Sequence, residues 1–584
     1  MNELSYPIRS AFLSNKSFSI FLVSTIMALL ATTLGVVVDG IIVGHLLGTS
    51  CFAAVNIVAP VLQIYNSLHL IPDQCSSIMI GNAIGKRDKT GAQKIFSTAL
   101  SLNLMIGFSL VILGNIFMQP ILQVLCPNIE LQPLVKDYLQ VVIWSSPLYL
   151  LLPGMCFFTR SDGNPGISTV ALIVANVINL VLDIVFIKYL GWGLRGSALA
   201  SSIGFSCGIL VTCSHFFRKE RIIAFIKPAF KKYAKPIVLD SIPFVLTMLV
   251  MSVCLMLGNI IIIKFVGNEG IVTMSVCYNI FSFLLLINMG NNQTILPLMG
   301  ILKGMGDQRG VNFIVKRAFR IFLILTGIYL AIIFIFPKTV IGMFGIDDIS
   351  VDMVRHVRIY AIGLIGFAVN FFFTVIYLGT KRNNLTYYMV LSKDSLPILF
   401  IFLFCLLGFP QQLWWSYILG NVIIFFLLNL FSRKIQSKNK DLLPLFLINK
   451  PTQDTDNFFN FSVPAKLDGL RDALTTIRHK VDQHPDISTR QAFVTDLCCE
   501  EIISNIIEHG YKRHPEKHMI DIFITILPDE TTICIHDDGK PFNPIKYQND
   551  TTIGLLLINK LCYSTDYIFS MNQNIMTIVV KKGR

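Results

Sequence analysis

From Phe18 to Phe431 the chain alternates apolar runs with short polar connections. A run of about twenty residues crosses a hydrocarbon core of roughly 30 Å as helix. By that measure the pattern predicts about twelve spans, near 18–40, 52–78, 95–118, 137–158, 167–188, 197–217, 237–263, 270–297, 318–336, 357–378, 386–408 and 413–432. Beyond Lys440 no run is long enough to span, and charge returns at the density of a soluble domain. Helical periodicity appears at 468–484 and 489–511, and a short helix at 554–561. Branched residues alternate as strands at 520–527 and 531–536, joined by the turn Pro528-Asp529-Glu530, with final strands near 565–571 and 574–581. The expected fold class is an all-α polytopic membrane protein of two six-helix lobes, 1–217 and 218–440, followed by an α+β sandwich at 458–584. The stretch 441–457 joins them, and its Pro- and Asp-containing part, with Pro451, Asp454 and Asp456, reads as linker on to Asn460.

Composition supports the membrane assignment: 53% of the residues are hydrophobic and 14% charged, with a mean hydropathy of +0.64. The net charge of +13 does not describe a nucleic-acid surface, because the basic residues are dispersed over alternate loops. Arg9 and Lys16 precede the first span; Lys86, Arg87, Lys89 and Lys94 follow the second; Arg218, Lys219, Arg221, Lys227, Lys231, Lys232 and Lys235 follow the sixth. Lys303, Arg309, Lys316, Arg317 and Arg320 follow the eighth, Lys381 and Arg382 the tenth, and Arg433, Lys434, Lys438 and Lys440 the twelfth. The intervening loops are poorer in Lys and Arg, although Lys338, Arg355 and Arg358 accompany Asp347, Asp348 and Asp352. The positive-inside rule then predicts that both termini are cytoplasmic, with the first span retained rather than cleaved as a signal. The 13 cysteines lack metal-ligand spacing, and a cytosolic setting keeps the adjacent Cys498 and Cys499 reduced.

An ungapped internal repeat divides the spans. Gly48, Gly81, Gly85, Asp88 and Gly91 recur 219 residues later as Gly267, Gly300, Gly304, Asp307 and Gly310. Six spans per half give two lobes of the same orientation about a central cleft. The Gly-Asp words read as tight turns with Gly at positive φ and Asp capping the next helix.

Polar residues inside the spans are the candidates for chemistry. Asp39 ends the first span, and Asn176, Asn179 and Asp183 share one helical face in the fifth. A charge at the bilayer centre costs on the order of 3 kcal/mol, so such an acid is protonated, paired or holding a cation. It can then exchange H⁺ or Na⁺ as the cleft opens to alternate sides. Lys393-Asp394-Ser395 lies inside the eleventh span; neighbours on a helix project about 100° apart and need not pair, so a gating or substrate-facing role and a structural ion pair are both open. Phe371, Phe372, Phe373 and the many Met residues suit amphipathic organic cations, although at helical spacing they are also ordinary packing.

These residues resemble a known family. Val38-Asp39-Gly40 with Gly44 and Gly48, Asn56, the Gly81-to-Asp88 loop, Asn179-x3-Asp183, Leu190-Gly-Trp-Gly193-x2-Gly196-Ser-Ala198 and the repeat are similar to the multidrug and toxic compound extrusion (MATE) transporters, over about residues 10–435. The resemblance implies twelve helices in two lobes and antiport of drugs or cationic amphipathic small molecules against Na⁺ or H⁺. It also implies a cation site in the N-terminal lobe at Asp39, Asn179, Asp183 and, with a hydroxyl but no methyl, Ser201. Those acids are absent from the second half, where 219 residues on stand Gly258, Ile398, Phe402 and Gly420, so coupling is expected in the first lobe.

In the soluble part Glu501, Asn505 and His509 recur at i, i+4 and i+8 on one helix face. Asn can complete a Mg²⁺ shell beside phosphate, and Glu can orient or deprotonate a nucleophile. A strand then ends in Asp537-Asp538-Gly539, where an acid can accept from an exocyclic amine and Gly admits a flat base. Together with Lys540, Pro541, Phe542, Asn543 and Pro544 this resembles the ATPase fold of histidine kinases and serine-kinase anti-sigma factors, over about residues 458–582. The resemblance implies Mg-ATP held by Asn505, with His509 and Gly539 at the nucleotide, Asp537 reading adenine, Glu501 as base, and an anti-anti-sigma or sigma-like protein as partner. The sequence departs at Thr551-Thr552, where the family has glycines, and leaves Gly554 to bring the short helix to the phosphates. An alternative reading makes the kinase-like domain primary and the membrane half a detector. Direct ATP-driven pumping is disfavoured, because the chain has no Gly-x4-Gly-Lys-[Ser/Thr] loop.

Overall fold

The computed structural model describes residues 8–582 apart from 127–128, 219–220, 345, 347–348, 452–453, 456, 483, 512–513 and 544–552. The expectations on Lys219, Asp347, Asp348, Asp456, Pro544, Thr551 and Thr552 therefore lie outside the described residues. The first lobe comprises α1 (Phe12–Leu47), α2 (Thr49–Leu68), α3 (Leu70–Gly85), α4 (Lys89–Ile116), α5 (Met118–Leu125), α6 (Gln132–Trp144), α7 (Ser146–Ser161), α8 (Pro165–Asp183) and α9 (Gly193–Cys213). The second comprises α10 (Phe230–Phe265), α11 (Asn268–Gly304), α12 (Gln308–Ile335), α13 (Pro337–Gly342), α14 (Val351–Gly379), α15 (Asn383–Leu406) and α16 (Ser416–Lys438). Among the described residues eleven helices are long and apolar enough to cross a membrane, α2 and α3 counting as one. The pair α6 and α7, bent by 50° at Ser145, supplies a twelfth.

The repeated words occupy equivalent places in the two lobes, but their glycines serve three different ends. Gly48 and Gly267 turn the chain at φ 86° and 82°. Gly91 and Gly310 leave room for the capping carboxylates: Asp88 accepts from the Gly91 N–H at 2.7 Å and Asp307 from the Gly310 N–H at 2.8 Å. The reading of Gly81, Gly85, Gly300 and Gly304 as turn residues is corrected. They lie within α3 and α11, where the two lobes cross backbone against backbone. A Cβ on Gly85 would stand 2.1 Å from the Ile301 carbonyl oxygen, and one on Gly304 2.3 Å from that of Asn82. The left-handed position of the first loop falls to Arg87, at φ 60°.

After α16, residues 439–449 pack back onto the second lobe: Leu442, Leu447 and Ile448 are buried, and Asn312 donates to the Asn449 carbonyl at 2.9 Å. The terminal domain then builds β1 (Phe458–Pro464), α17 (Leu467–Asp482), α18 (Thr489–His509), β2 (Met519–Ile526), β3 (Glu530–Asp537), α19 (Ile553–Leu561), β4 (Ser564–Ser570) and β5 (Gln573–Lys581). Its antiparallel sheet runs β1-β2-β3-β5-β4, with Phe461 opposite Ile522 and Ile535 opposite Met576. Strand β1 was missing from the sequence reading. The linker reading, carried by Pro451, Asp454 and Asp456, runs on into this strand at Asn460, yet Asn460 and Ser462 are both buried.

Side chains alternate across a strand, and here both faces of the sheet are covered. Phe459, Phe461, Val463, Ile522, Ile535 and Ile578 form the core under the helices. The opposite face rests on the membrane part. Arg9, ahead of α1, forks onto Asp307, with Nη2 2.6 Å from Oδ2, and reaches Asp521 of β2 at 3.3 Å. Its guanidinium also lies over the Phe523 ring, 4.4 Å from the centroid. Burial works against the charge of Arg9, but Asp307 and Asp521 outweigh it and hold the guanidinium above its ordinary value. Burial pushes Asp521 up to about 6, whereas Arg9 and the Gly310 N–H hold the equally buried Asp307 below the usual carboxylate range.

Candidate functional site

In the first lobe, small residues let α1, α8 and α9 approach closely. A Cβ on Gly35 would overlap the Asn176 side chain, and one on Gly204 would stand 2.5 Å from the Ala175 carbonyl oxygen. Between these helices lies a cavity of about 670 Å³ whose wall includes Asp39, Asn56, Tyr138, Tyr149, Asn176, Asn179 and Ser201. Asn179 donates to Ser201 at 3.0 Å, and Ser197 donates to Asp39 at 3.4 Å. Behind this wall Asp183 is fully buried, its carboxyl facing Asp39 with Ser197 and Asn179 beside it, and neither of its oxygens makes a well-formed hydrogen bond. Directly after Asp183 the helix widens into a π turn over Ile184–Tyr189, a distortion that often marks functional positions. The four residues Asp39, Asn179, Asp183 and Ser201 thus come together. Two facing carboxyls, with Ser197 donating to the outer one, form an oxygen site that suits a shared proton or a small hard cation.

The second candidate closes on itself. Lys393 and Asp394 are buried and ion-paired with each other. The long Lys stem bends across the expected angular separation, and the ammonium lies 5.1 Å and 5.5 Å from the Phe367 and Phe371 ring centroids. Phe371 borders a narrow cavity of about 70 Å³ between the lobes, together with Gln74, Met248, Met289 and Gln293. Phe372 and Phe373 are core.

Sequence reasoning passed over a third buried acid. Asp73 is fully buried in α3, accepts from Asn103 at 2.6 Å and lies 2.9 Å from His69 Nδ1. Its signal was present, an acid inside the second apolar run at 52–78, in the part that the structure sets off as α3 after the break at His69.

In the terminal domain a pocket of about 170 Å³ is lined by Asn505, His509, Asp537, Lys540, Phe542, Tyr567, Asn574 and Met576. The capping box of Ser488 and Gln491 starts α18, and the one-turn spacing carries both Asn505 and His509 to the pocket. Asp537 is buried and accepts from the Gly539 N–H at 2.8 Å and from Asn574 at 2.9 Å. Burial pushes its carboxyl up to about 6 despite those two donors. Asn574 in turn accepts from the Tyr567 hydroxyl at 2.6 Å; this support was not legible, because both residues come from the last hairpin. The Asn505 amide nitrogen is turned back onto the Glu501 carbonyl at 2.7 Å, which leaves its oxygen, the atom type Mg²⁺ takes. Glu501 and Gly554 meet outside this pocket: a Cβ on Gly554 would stand about 2 Å from the Glu501 carboxyl. His509 is exposed at the pocket rim beside Glu508.

The MatE family model matches residues 24–185 and 243–403, once per lobe, and a model described as histidine kinase-like ATPase domain matches 463–580. The chain is similar to the Multidrug export protein MepA of Staphylococcus haemolyticus, 21% identical over 392 residues, covering 66% of this chain and 86% of the relative. It is 25% identical over 266 residues to the Probable multidrug resistance protein YoeA of Bacillus subtilis, covering 44% and 56%. Among solved structures, an outward-facing multidrug resistance MATE family transporter of the MOP superfamily superposes with a TM-score of 0.67 at 20% identity, over 73% of this chain and 96% of that one. A MOP superfamily transporter from Pyrococcus furiosus superposes at 0.66 and 20% identity, over 73% and 97%. With more than half of the chain matched across its two lobes, this multi-pass membrane protein belongs to the MatE family and carries a histidine kinase-like ATPase domain behind its second lobe.

Proposed function

We propose that the membrane part is an antiporter that exports drugs or other amphipathic cations from a bacterial cell in exchange for Na⁺ or H⁺, with both termini in the cytoplasm. The observation that carries this reading is the facing pair Asp39 and Asp183, whose inner member is fully buried without a well-formed hydrogen bond. One proton shared between the carboxyls, or a Na⁺ taking oxygens from Asp39, Asp183, Asn179 and Ser201, neutralises the pair and lets it stay out of water. Losing that ion to the cavity recharges the acids and favours a rearranged lobe. A substrate cation and the coupling ion then compete for one charge balance, which is the physical basis of exchange.

The terminal domain, on this reading, binds Mg-ATP and regulates transport. Asn505 would contribute an oxygen to Mg²⁺, and Asp537 would accept from the adenine amine in a pocket whose apolar wall suits a flat base. Glu501 is assigned as base for transfer to a protein serine; that step and a sigma-like or anti-anti-sigma partner rest on the resemblance of the Asp537-to-Asn543 run. The names of the relatives support drug-like substrates.

The test is gradient-driven movement of a cationic fluorescent dye by the full chain in proteoliposomes. Asp39→Asn and Asp183→Asn should each lower the rate at least tenfold with helical content unchanged. An imposed Na⁺ or H⁺ gradient that never moves dye, with both variants equal to the parent, removes the transport reading. Separately, Asn505→Ala should abolish Mg-ATP binding by titration calorimetry, and an unchanged titration removes the nucleotide assignment.

A further inference from the structure

We propose that the docked ATPase-like domain is an interlock on alternating access: its sheet bolts the two lobes together beside the α3–α11 crossing, and transport requires it to let go of one of them. The inference rests on the transport reading above. Four residues at the start of α1 are gripped by the sheet. Arg9 reaches Asp521, the Ser10 N–H donates to Ser462 at 2.7 Å, Lys16 pairs with Asp538, and Ser17 donates to the Met571 carbonyl at 2.6 Å.

The same sheet holds both lobes. On the first lobe Lys89 pairs with Asp566 at 2.9 Å, and Ile568 packs with Ile80 and Ile84 of α3. On the second, Arg309 donates to Asn460 at 3.0 Å, while Met571 and Ile575 join the lobe's own core. A cavity of about 360 Å³ under the sheet is bordered by Gly85 at the end of α3 with Arg87 beyond it, and by Gly304 at the end of α11 with Asp307 beyond it. Opening the central cleft on this side means separating Gly85 from Gly304. A five-stranded sheet bonded to both lobes cannot follow them as they move apart, so one set of bonds must break.

The chemistry of the contact fits a joint that is made and broken. Its centre is ionic and polar rather than purely apolar, and a desolvated ion cluster contributes little net stability because water recovers the charges on release. The domain also keeps its own core on the opposite face of the sheet, so undocking does not require unfolding. Strand β3 ties the joint to the nucleotide pocket: Asp537 faces the pocket, while its neighbour Asp538 holds Lys16 of α1.

Two cysteine pairs in the full chain test this, Lys89→Cys with Asp566→Cys against the first lobe and Arg309→Cys with Asn460→Cys against the second. Each is joined by a short reductively cleavable bismaleimide, with the corresponding single-cysteine variants treated alike. The interlock requires that joining both pairs in one chain lowers dye transport at least tenfold and that cleavage restores it. Transport by the doubly joined protein at the rate of the cleaved one overturns the proposal. The native thiol of Cys534, which lines the cavity under the sheet, gives a second reading without substitution. It should react with maleimide at least fivefold faster during turnover than at rest, and equal rates would also overturn the interlock. Dye transport by the untreated chain tests the underlying reading, so failure of that reading is seen apart from failure of the interlock.

Discussion

Asp537 stands at the meeting point of two opposing pH effects. Burial holds its carboxyl at about 6, above its ordinary value of 3.8, so the free domain binds a proton there between pH 4 and 6 that the unfolded chain does not. The folded state therefore gains stability from this group as pH falls through that window and loses it as pH rises through 6. Nucleotide recognition carries the opposite sign, because a protonated carboxyl is a poorer acceptor for an amine. Mg-ATP affinity should fall about tenfold per pH unit below 6, measured by calorimetry between pH 7 and 5. Asp537→Asn should flatten that dependence and bind weakly throughout; a parent affinity constant down to pH 5 would remove Asp537 from recognition. At this scale much of the chemistry was legible, because Asp39, Asn179 and Asp183 are polar exceptions in apolar helices and Asn505 is one in a helix of Ile. Asp73 escaped because it sits where α2 gives way to α3, and the Asn574–Tyr567 support escaped because two ordinary strand residues meet only through the hairpin.

Among the elements, the crossing of α3 and α11 decides how close the lobes come. A Cβ at Gly304 meets the Asn82 carbonyl oxygen at 2.3 Å and the Gly85 Cα at 2.9 Å. Both are backbone atoms, so no rotamer relieves the overlap. Overpacking of this kind costs typically 1–3 kcal/mol, which corresponds to roughly a 5- to 150-fold shift away from the state in which the helices touch. Gly304→Ala should therefore widen the spin-label distance between the ends of α3 and α11. Gly327→Ala, whose Cβ meets nothing within 4 Å, should leave it unchanged, and an unaltered distance in both would deny the crossing its role. The repeat announced that two equivalent loops exist but not what each glycine does, since a turn, a cap and a helix crossing all demand the same residue. Strand β1 shows the converse. Phe459, Phe461 and Val463 alternate with Asn460 and Ser462 as a strand should, yet the linker pattern before it runs on to Asn460, and the partners of the two polar members, Arg309, Ser10 and Asp521, come from elsewhere in the chain.

For the molecule as a whole, the joint between membrane and ATPase-like parts turns on one cation shared by two acids. Arg9, Asp307 and Asp521 are all nearly excluded from solvent, and no sequence pattern joins residues 512 positions apart. Removing the cation alone leaves two carboxylates facing each other without water. Breaking a buried pair in this way costs about 3–5 kcal/mol, whereas replacing the whole set with apolar groups of similar volume is often neutral. Arg9→Met should therefore undock the domain, raising the maleimide reactivity of Cys534 at rest by a factor of about 100 or more. Adding Asp521→Leu to Arg9→Met should recover most of the protection. The remaining acid, Asp307, still caps α12 through the Gly310 N–H at 2.8 Å, so one carboxylate keeps a partner and the other is gone. The pair of variants separates electrostatics from shape. If the single variant protects Cys534 as well as the parent does, the ion cluster does not hold the joint. If the double variant is as reactive as the single one, Asp521 has a role in the joint beyond its charge balance with Arg9.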